Sequence, residues 1–425
     1  MTLAIFILSL IATMALGVPI AFALLASGVA LMWHLQMLDP QILAQNIING
    51  ADSFPLLAAP LFILAGEVMN AGGLSKRIVN LALAFVGHVR GGLGYVTIVA
   101  ACLLAALSGS AIADAAALTT LLLPMMVAAG HDKSRSAGLI ASAAIIAPII
   151  PPSIGFVIFG VAANVSISRL FFAGIFPGLM MGAALWAAWW FVARSENVPP
   201  PARRSAFEML GAMREALWAL VLPFIIIFGL KFGLFTPTEA AVVAAVYAIA
   251  VATLIYRELS LVQLYRVFVA AAKTSSVVMF LVAAAAVSAW LITVADIPGQ
   301  VIALLQPLIH SPTLLLLAIM ALVLLVSTSM DMTPTILILT PVLMPVIKAA
   351  GIDPVYFGVI FMMNLAIGLI TPPVGVVLNT VAGSGRLGVD SVIRGVLPFI
   401  AAECIVLFLL VLFPQLVLVP ARWFY

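Results

Sequence analysis

Apolar stretches close to twenty residues long follow one another along the whole chain, separated by short polar breaks. About 20 such residues carry a helix across the hydrocarbon core of a bilayer. The stretches are continuous, whereas a membrane β-barrel needs short segments that alternate in polarity around a polar lumen. The pattern therefore predicts an all-α polytopic membrane protein. Two less apolar stretches, 36–54 and about 256–273, are bounded by polar residues. Each predicts either an interfacial helix lying along the bilayer or an ordinary amphipathic loop helix. Residues 3–34 predict one long helix kinked near Pro19, or a shorter span with an interfacial lead.

Composition agrees. Hydrophobic residues make up 65% of the 425 positions and charged residues 8%, and mean hydropathy is +1.30. A soluble domain carries about a quarter charged residues, so this chain cannot cover a water-facing surface. The net charge of +3 is spread over loops and gives no basis for nucleic-acid binding. Cys102 and Cys404 both lie inside apolar runs, where packing outweighs a disulfide or metal role. Residues 1–16 lack a charged leader, and the expectation is a retained first span. With no polar tail or soluble domain in the sequence, capture of a ligand outside the membrane is expected to need a partner.

The chain repeats itself. At a shift of 221 residues, Pro124 falls on Pro345, Ala128-Ala129-Gly130 on Ala349-Ala350-Gly351, Pro151-Pro152 on Pro372-Pro373, and Pro177 on Pro398. Ser108 lands on Ser329 and Ser110 on Asp331; Pro19 meets Pro237 at a shift of 218. Two repeats follow, 1–193 and 216–425, joined by a cytoplasmic linker at 194–215 that carries Arg194, Arg203, Arg204 and Arg214.

Charge orients the halves, because basic loops favour the cytoplasmic side. Segment 74–90 has Lys76, Arg77 and Arg90, while its mate 295–311 has Asp296 and no Lys or Arg. The turn 130–136 has Lys133 and Arg135; its mate 351–357 has only Asp353. Opposite bias in paired loops is the mark of an inverted-topology repeat. Every loop falls on the side its charge requires when two re-entrant hairpins, about 91–128 and about 312–348, each enter and leave on one side.

The hairpin midpoints carry the candidate chemistry. One reads Leu107-Ser108-Gly109-Ser110-Ala111 with Asp114 following; the other reads Ser327-Thr328-Ser329-Met330-Asp331. Irregular backbone at membrane depth survives only where protein or a water-filled cavity satisfies it. A tip also exposes helix-end carbonyls for a cation and helix-start N–H groups for a carboxylate. After each hairpin comes a helix broken by Pro-Pro, at 146–153 and 368–373. The lost backbone donors free carbonyls that can face the tip. Either feature alone is equally well read as a kink or as close packing. Two tips and two breaks in one register favour transport.

Other ionisable groups are weaker candidates. Glu67, Glu239 and Glu403 interrupt apolar runs, where interdomain hydrogen bonding outweighs an ion or proton site. Asp114 is placed to brace the first tip. Lys231 and Lys273 lie near span ends and snorkel. His34, His88, His131 and His310 show no metal-ligand spacing. Trp186, Trp189 and Trp190 suit an aromatic belt or a contact with a second membrane subunit. No Walker-type phosphate loop is present, and no nucleophile–base pattern at depth supports an enzyme.

The runs 107–114, 148–153, 330–334 and 368–373, together with Gly66–Leu74, resemble the large membrane subunit of tripartite ATP-independent periplasmic (TRAP) transporters, in the look of the 2,3-diketo-L-gulonate type. The resemblance implies the elevator fold of the ion-transporter superfamily, in the bacterial inner membrane. It implies an organic or sugar acid, a carboxylate delivered by a periplasmic binding protein, and import driven by about two Na⁺ ions. It also implies a small four-helix membrane subunit as partner. Carried over, Ser108, Ser110 and the carbonyls of Ile146, Ile150 and Pro152 would hold one Na⁺. Ser329, Gly368 and Thr371 would hold the other, and Ser110, Ser153 and Asp331 would face substrate. Ser327 departs from the family pattern, standing where similar tips often have glycine. The alternative is a stand-alone Na⁺- or H⁺-coupled anion symporter of the same superfamily.

Overall fold

A computed structural model of the protein describes residues 2–196, 198 and 203–424. All regular structure among them is helical, as the hydropathy pattern requires. In the first half, α1 (Thr2–Ala15) and α2 (Ile20–His34) precede α3 (Pro40–Ala51), α4 (Ala58–Ala71) and α5 (Leu74–Val86). Then come α6 (Gly92–Ser108), α7 (Ala111–Ala128), α8 (Lys133–Ala144), α9 (Ile154–Ala163) and α10 (Ile167–Ala193). The second half comprises α11 (Ala206–Lys231), α12 (Pro237–Ala250), α13 (Leu261–Val294), α14 (Ile297–Ile309) and α15 (Pro312–Ser327). It ends with α16 (Met332–Ala349), α17 (Pro354–Gly368), α18 (Val376–Gly385), α19 (Val389–Leu412) and α20 (Gln415–Ala421). Among the described residues, eight helical stretches are long and apolar enough to cross a membrane.

The repeat is visible element by element. Hairpin α6–α7 corresponds to α15–α16, the broken pair α8–α9 to α17–α18, and the long α10 to α19. Caps agree in detail. Asp132 accepts a hydrogen bond from Arg135 N at the start of α8, and its mate Asp353 accepts from Val355 N and Tyr356 N at the start of α17. Such caps satisfy the orphan N–H groups of a helix start. Both Pro-Pro bonds, Pro151-Pro152 and Pro372-Pro373, are cis.

Three expectations need correction. The stretch 256–273 is no separate interfacial helix, because from Leu261 it runs without a break into the 34-residue α13. At 1.5 Å per residue that helix is about 50 Å long, more than a bilayer core. Only its counterpart 36–54 forms a short helix of its own, α3, started by Asp39 and Pro40. Residues 3–34 are neither one kinked helix nor a span with a lead; α1 and α2 pack on each other, turning at Gly17 with φ +80°. The linker is shorter than 194–215, since Ser205 and Glu208 form a capping box that starts α11 at Ala206. Residues 197 and 199–202 of that linker lie outside the described residues.

Packing interleaves the halves. One group joins α4 to α12 and α13, α13 to α2 and α3, and α5 to α11. A second group joins α8 to α7 and α19, α9 to α16, α18 to α7, and α10 to α17, α19 and α20. Close backbone approach holds the second group: a Cβ on Gly138 of α8 would collide with the Gly395 carbonyl of α19. Small residues serve this purpose where water cannot drive association. The groups meet where α4, α5 and α11 face α6, α4 faces α9, and α13 and α14 face α16.

Candidate transport site

Helix α6 ends at Ser108, and Gly109 follows in the left-handed region at φ +61°. That conformation is open to glycine and costly for other residues. Ser110 then caps α7, accepting from Ala113 N at 3.4 Å. The Ser108 hydroxyl donates to Asp114 Oδ1 at 2.5 Å and accepts from Ser110 N at 3.3 Å. Asp114 thus braces the tip, with its Oδ2 left without a partner among the described residues. Because the Ser108 proton is committed to Asp114, the remaining lone pair of Oγ is free to face a cation.

The tip sits on the first break. An added Cβ at Gly109 would come within 2.5 Å of Pro152 O and 3.3 Å of Ser153 Cα. Residues 145–153 turn through hydrogen bonds to the Ile146 carbonyl from Ile149 N and Ile150 N. The Ile150 and Pro152 carbonyls accept no hydrogen bond among the described residues. All of 145–153 is buried. Ser153 is placed differently from the expectation. Its hydroxyl donates to Pro148 O at 2.6 Å and accepts from Phe156 N at 3.2 Å, which caps α9, and it does not line the cavity.

The second tip repeats the arrangement with different surroundings. Ser327 presses on Gly368, whose missing Cβ leaves room for the Ser327 Oγ. A serine at this tip is therefore accommodated by glycine on the opposing break. Gly375 N donates to Thr328 O at 3.4 Å, tying the far end of the break to the tip. The hydroxyls of Ser329 and Thr371 donate to Val326 O and Ile367 O one turn earlier, leaving their lone pairs free. Ser329, Pro373 and Val374 are exposed, in contrast with the sealed first break.

Both tips reach one cavity of about 200 Å³. Ser108, Ser110, Asp331 and Thr333 line it from the hairpins, Pro148 and Leu369 from the breaks, and Glu67, Asn70 and Thr274 from α4 and α13. Ser110 and Asp331, mates in the repeat, begin α7 and α16, so the positive ends of two helices open into the same space. Among the described residues no Lys or Arg lines the cavity. An anionic ligand must therefore be held by helix starts and hydroxyls, while Glu67 and Asp331 can accept from its hydroxyls.

Other expectations resolve locally. Glu239 is exposed and closes a capping box with Thr236, so it is neither an interdomain link nor an ion site. Glu403 is fully buried, and neither carboxyl oxygen has a partner among the described residues. Trp189 belongs to no aromatic belt: it is buried and donates from Nε1 to Gly91 O at 2.8 Å. Trp190 is exposed beneath the Arg194 guanidinium. Asn70 and Thr274 were not singled out from sequence. The signal for Asn70 was its place three residues after Glu67, on the same helical face. Also unforeseen is the buried pair His131–Glu196, with Nδ1 and Oε2 2.6 Å apart. No group of metal-ligating His, Cys, Asp or Glu exists among the described residues.

Comparison with known proteins places this geometry in a family. Residues 7–416 match the family model described as Tripartite ATP-independent periplasmic transporter, DctM component. The chain is 56% identical, over the full length of both proteins, to the 2,3-diketo-L-gulonate TRAP transporter large permease protein YiaN of Escherichia coli. It is 37% identical to the sialic acid TRAP transporter large permease protein SiaM of Vibrio cholerae, over 96% of each chain. Among solved structures it resembles the YdaH transporter of Alcanivorax borkumensis, with TM-score 0.66 and 17% identity over 88% of this chain and 87% of that one. That last likeness concerns the fold alone.

Proposed function

The chain belongs to the DctM component family of tripartite ATP-independent periplasmic transporters, a multi-pass inner-membrane permease, and on that premise we propose that it imports a hydroxylated organic acid coupled to Na⁺. The observation that carries the reading is the cavity shared by Ser110 and Asp331, each at the start of a hairpin's second helix. Its acceptor-rich, cation-free lining suits a sugar acid, whose hydroxyls donate while its carboxylate meets helix-start N–H groups. The identity to a 2,3-diketo-L-gulonate permease supports the same class.

In this reading one Na⁺ lies between Ser108–Ser110 and the Ile150 and Pro152 carbonyls, while the Ile146 carbonyl, whose two lone pairs already accept from Ile149 N and Ile150 N, shapes the break rather than binding the ion. A second lies between Ser329 and the Gly368–Thr371 turn. The seating of Gly109 on Pro152 and of Ser327 on Gly368 supports both, since each tip and break form one packed unit. The unit of α6–α10 and α15–α20 moves as an elevator against the rest. A periplasmic binding protein delivers the acid, and a small four-helix membrane subunit completes the permease.

The test is uptake of 2,3-diketo-L-gulonate into proteoliposomes holding the chain, its small subunit and its binding protein, with and without an inward Na⁺ gradient. Uptake that follows the gradient supports the reading, and uptake indifferent to Na⁺ refutes the coupling. Full uptake with the binding protein left out would favour a stand-alone symporter.

A further inference from the structure

A groove of about 500 Å³ lies between hairpin helix α7 and α18, at the end where α8 begins. One wall is apolar, from Leu123, Pro124 and Val127; the other holds Lys133, Ser384 and Arg386. No carboxylate among the described residues lines it. Lys133 and Arg386 make no side-chain hydrogen bond or ion pair among the described residues, and the Ser384 hydroxyl has no partner there. The nearest acid in sequence, Asp132, is engaged in capping α8 and lines a different pocket.

Arg386 stands in a costly conformation. It closes α18 in the left-handed region at φ +50°, which a long side chain resists. The equivalent cap in the first repeat, closing α9, is Asn164 at φ +53°, a residue far better suited to that geometry. The fold thus asks only for a left-handed cap; Arg257 adopts the same conformation at φ +54°, and what distinguishes Arg386 is its place in the groove. The mate of Lys133 is equally telling: at the 221 shift it is Pro354, with no charge. The inverted copy of the groove is uncharged at both of these positions, and Lys348 stands instead at the mate of Val127, on the wall that is apolar here. Both cations lie beside the 130–136 turn, on the side that basic loops mark as cytoplasmic.

We propose that this groove binds the anionic headgroup of an inner-leaflet phospholipid, with its phosphate on Lys133, Arg386 and Ser384 and an acyl chain along Leu123 and Val127. Basic pockets between helices at the cytoplasmic surface take such headgroups, and the adjoining apolar wall suits an amphiphile better than a free oxyanion. A zwitterionic lipid carries the same phosphate but its choline cation offsets that charge and is repelled by Lys133 and Arg386, so two cations at about 1 kcal/mol each give roughly a thirtyfold preference for an anionic lipid.

The full-length chain in detergent, titrated with phosphatidylglycerol or phosphatidylcholine and followed by thermal unfolding and native mass spectrometry, tests this. Phosphatidylglycerol should bind and raise Tm, with phosphatidylcholine roughly thirtyfold weaker. Arg386→Asn should raise Tm in the absence of lipid, because asparagine suits the left-handed cap, while most of the phosphatidylglycerol increment is lost. Lys133→Ala should reduce the increment without that gain. Equal effects of the two lipids, or an unchanged increment in Arg386→Asn, would overturn the proposal. Protection by inorganic phosphate alone at millimolar concentration would overturn the assignment to lipid.

Discussion

Substituting alanine at Gly109 tests the first tip directly. Gly109 has φ +61°, and a methyl there would lie 2.5 Å from the Pro152 carbonyl oxygen. Holding an alanine in the left-handed region costs about 1–2 kcal/mol. The overlap is with backbone, so the tip must withdraw, at about 1–3 kcal/mol for an overpacked contact. Even the lower ends sum to about 2 kcal/mol, borne only by the state in which the tip is seated on the break. If Na⁺ binds that state, its apparent affinity falls roughly thirtyfold. Gly383→Ala is the control, since a methyl at that exposed helical position would meet nothing within 4 Å. It should shift Na⁺ affinity by no more than about twofold. The assay is the Na⁺ concentration that half-saturates both thermal stabilisation of the purified protein and proteoliposome uptake, with Tm in Na⁺-free buffer reporting folding. A Gly109→Ala protein that folds and keeps the wild-type half-saturation would refute the placement of Na⁺ between tip and break.

Other consequences follow from the same geometry. Asp331→Ala should lower uptake at subsaturating substrate by about tenfold or more, from loss of a charged acceptor; undiminished uptake would remove it from the site. Ser153→Ala should cost about 1 kcal/mol of stability through loss of the α9 cap, leaving substrate half-saturation unchanged, and a KM effect without a Tm effect would restore it to the cavity. Trp189→Phe strands the buried Gly91 carbonyl and should cost about 1–3 kcal/mol, read as a lower Tm. Single cysteines at 132 and 353, in a chain lacking Cys102 and Cys404, should react with impermeant reagents from opposite sides of the membrane; labelling from one side would refute the inverted repeat.

Much of the site was legible because its parts break the apolar pattern. Pro-Pro pairs, serines at depth and loop charge all stand out in sequence, and the structure seats each tip on the break paired with it. What stayed hidden was of two kinds. The roles of Ser153 and Glu239 depend on which N–H group lies within reach, and a polar residue in an apolar run reads alike as cap or ligand. Trp189 was hidden because interior and lipid-facing positions are equally apolar in a membrane protein, so periodicity does not separate them. The unbroken α13 was readable after all: no Gly or Pro occurs between Arg257 and Ile297, whereas the stretch around α3 has Pro40, Gly50 and Pro55.

The unequal surroundings of the two breaks bear on timing. Residues 145–153 are sealed, while Pro373 and Val374 stand open. For a carrier of two ions, this difference sets a queue. If each break holds a Na⁺ as proposed, an ion at the exposed second break would exchange more readily than its companion at the buried first one, so the outer passenger would board last and leave first. Two chemically similar sites would then act as an early and a late gate, and the more deeply held ion would be the one whose departure decides when the cargo is free.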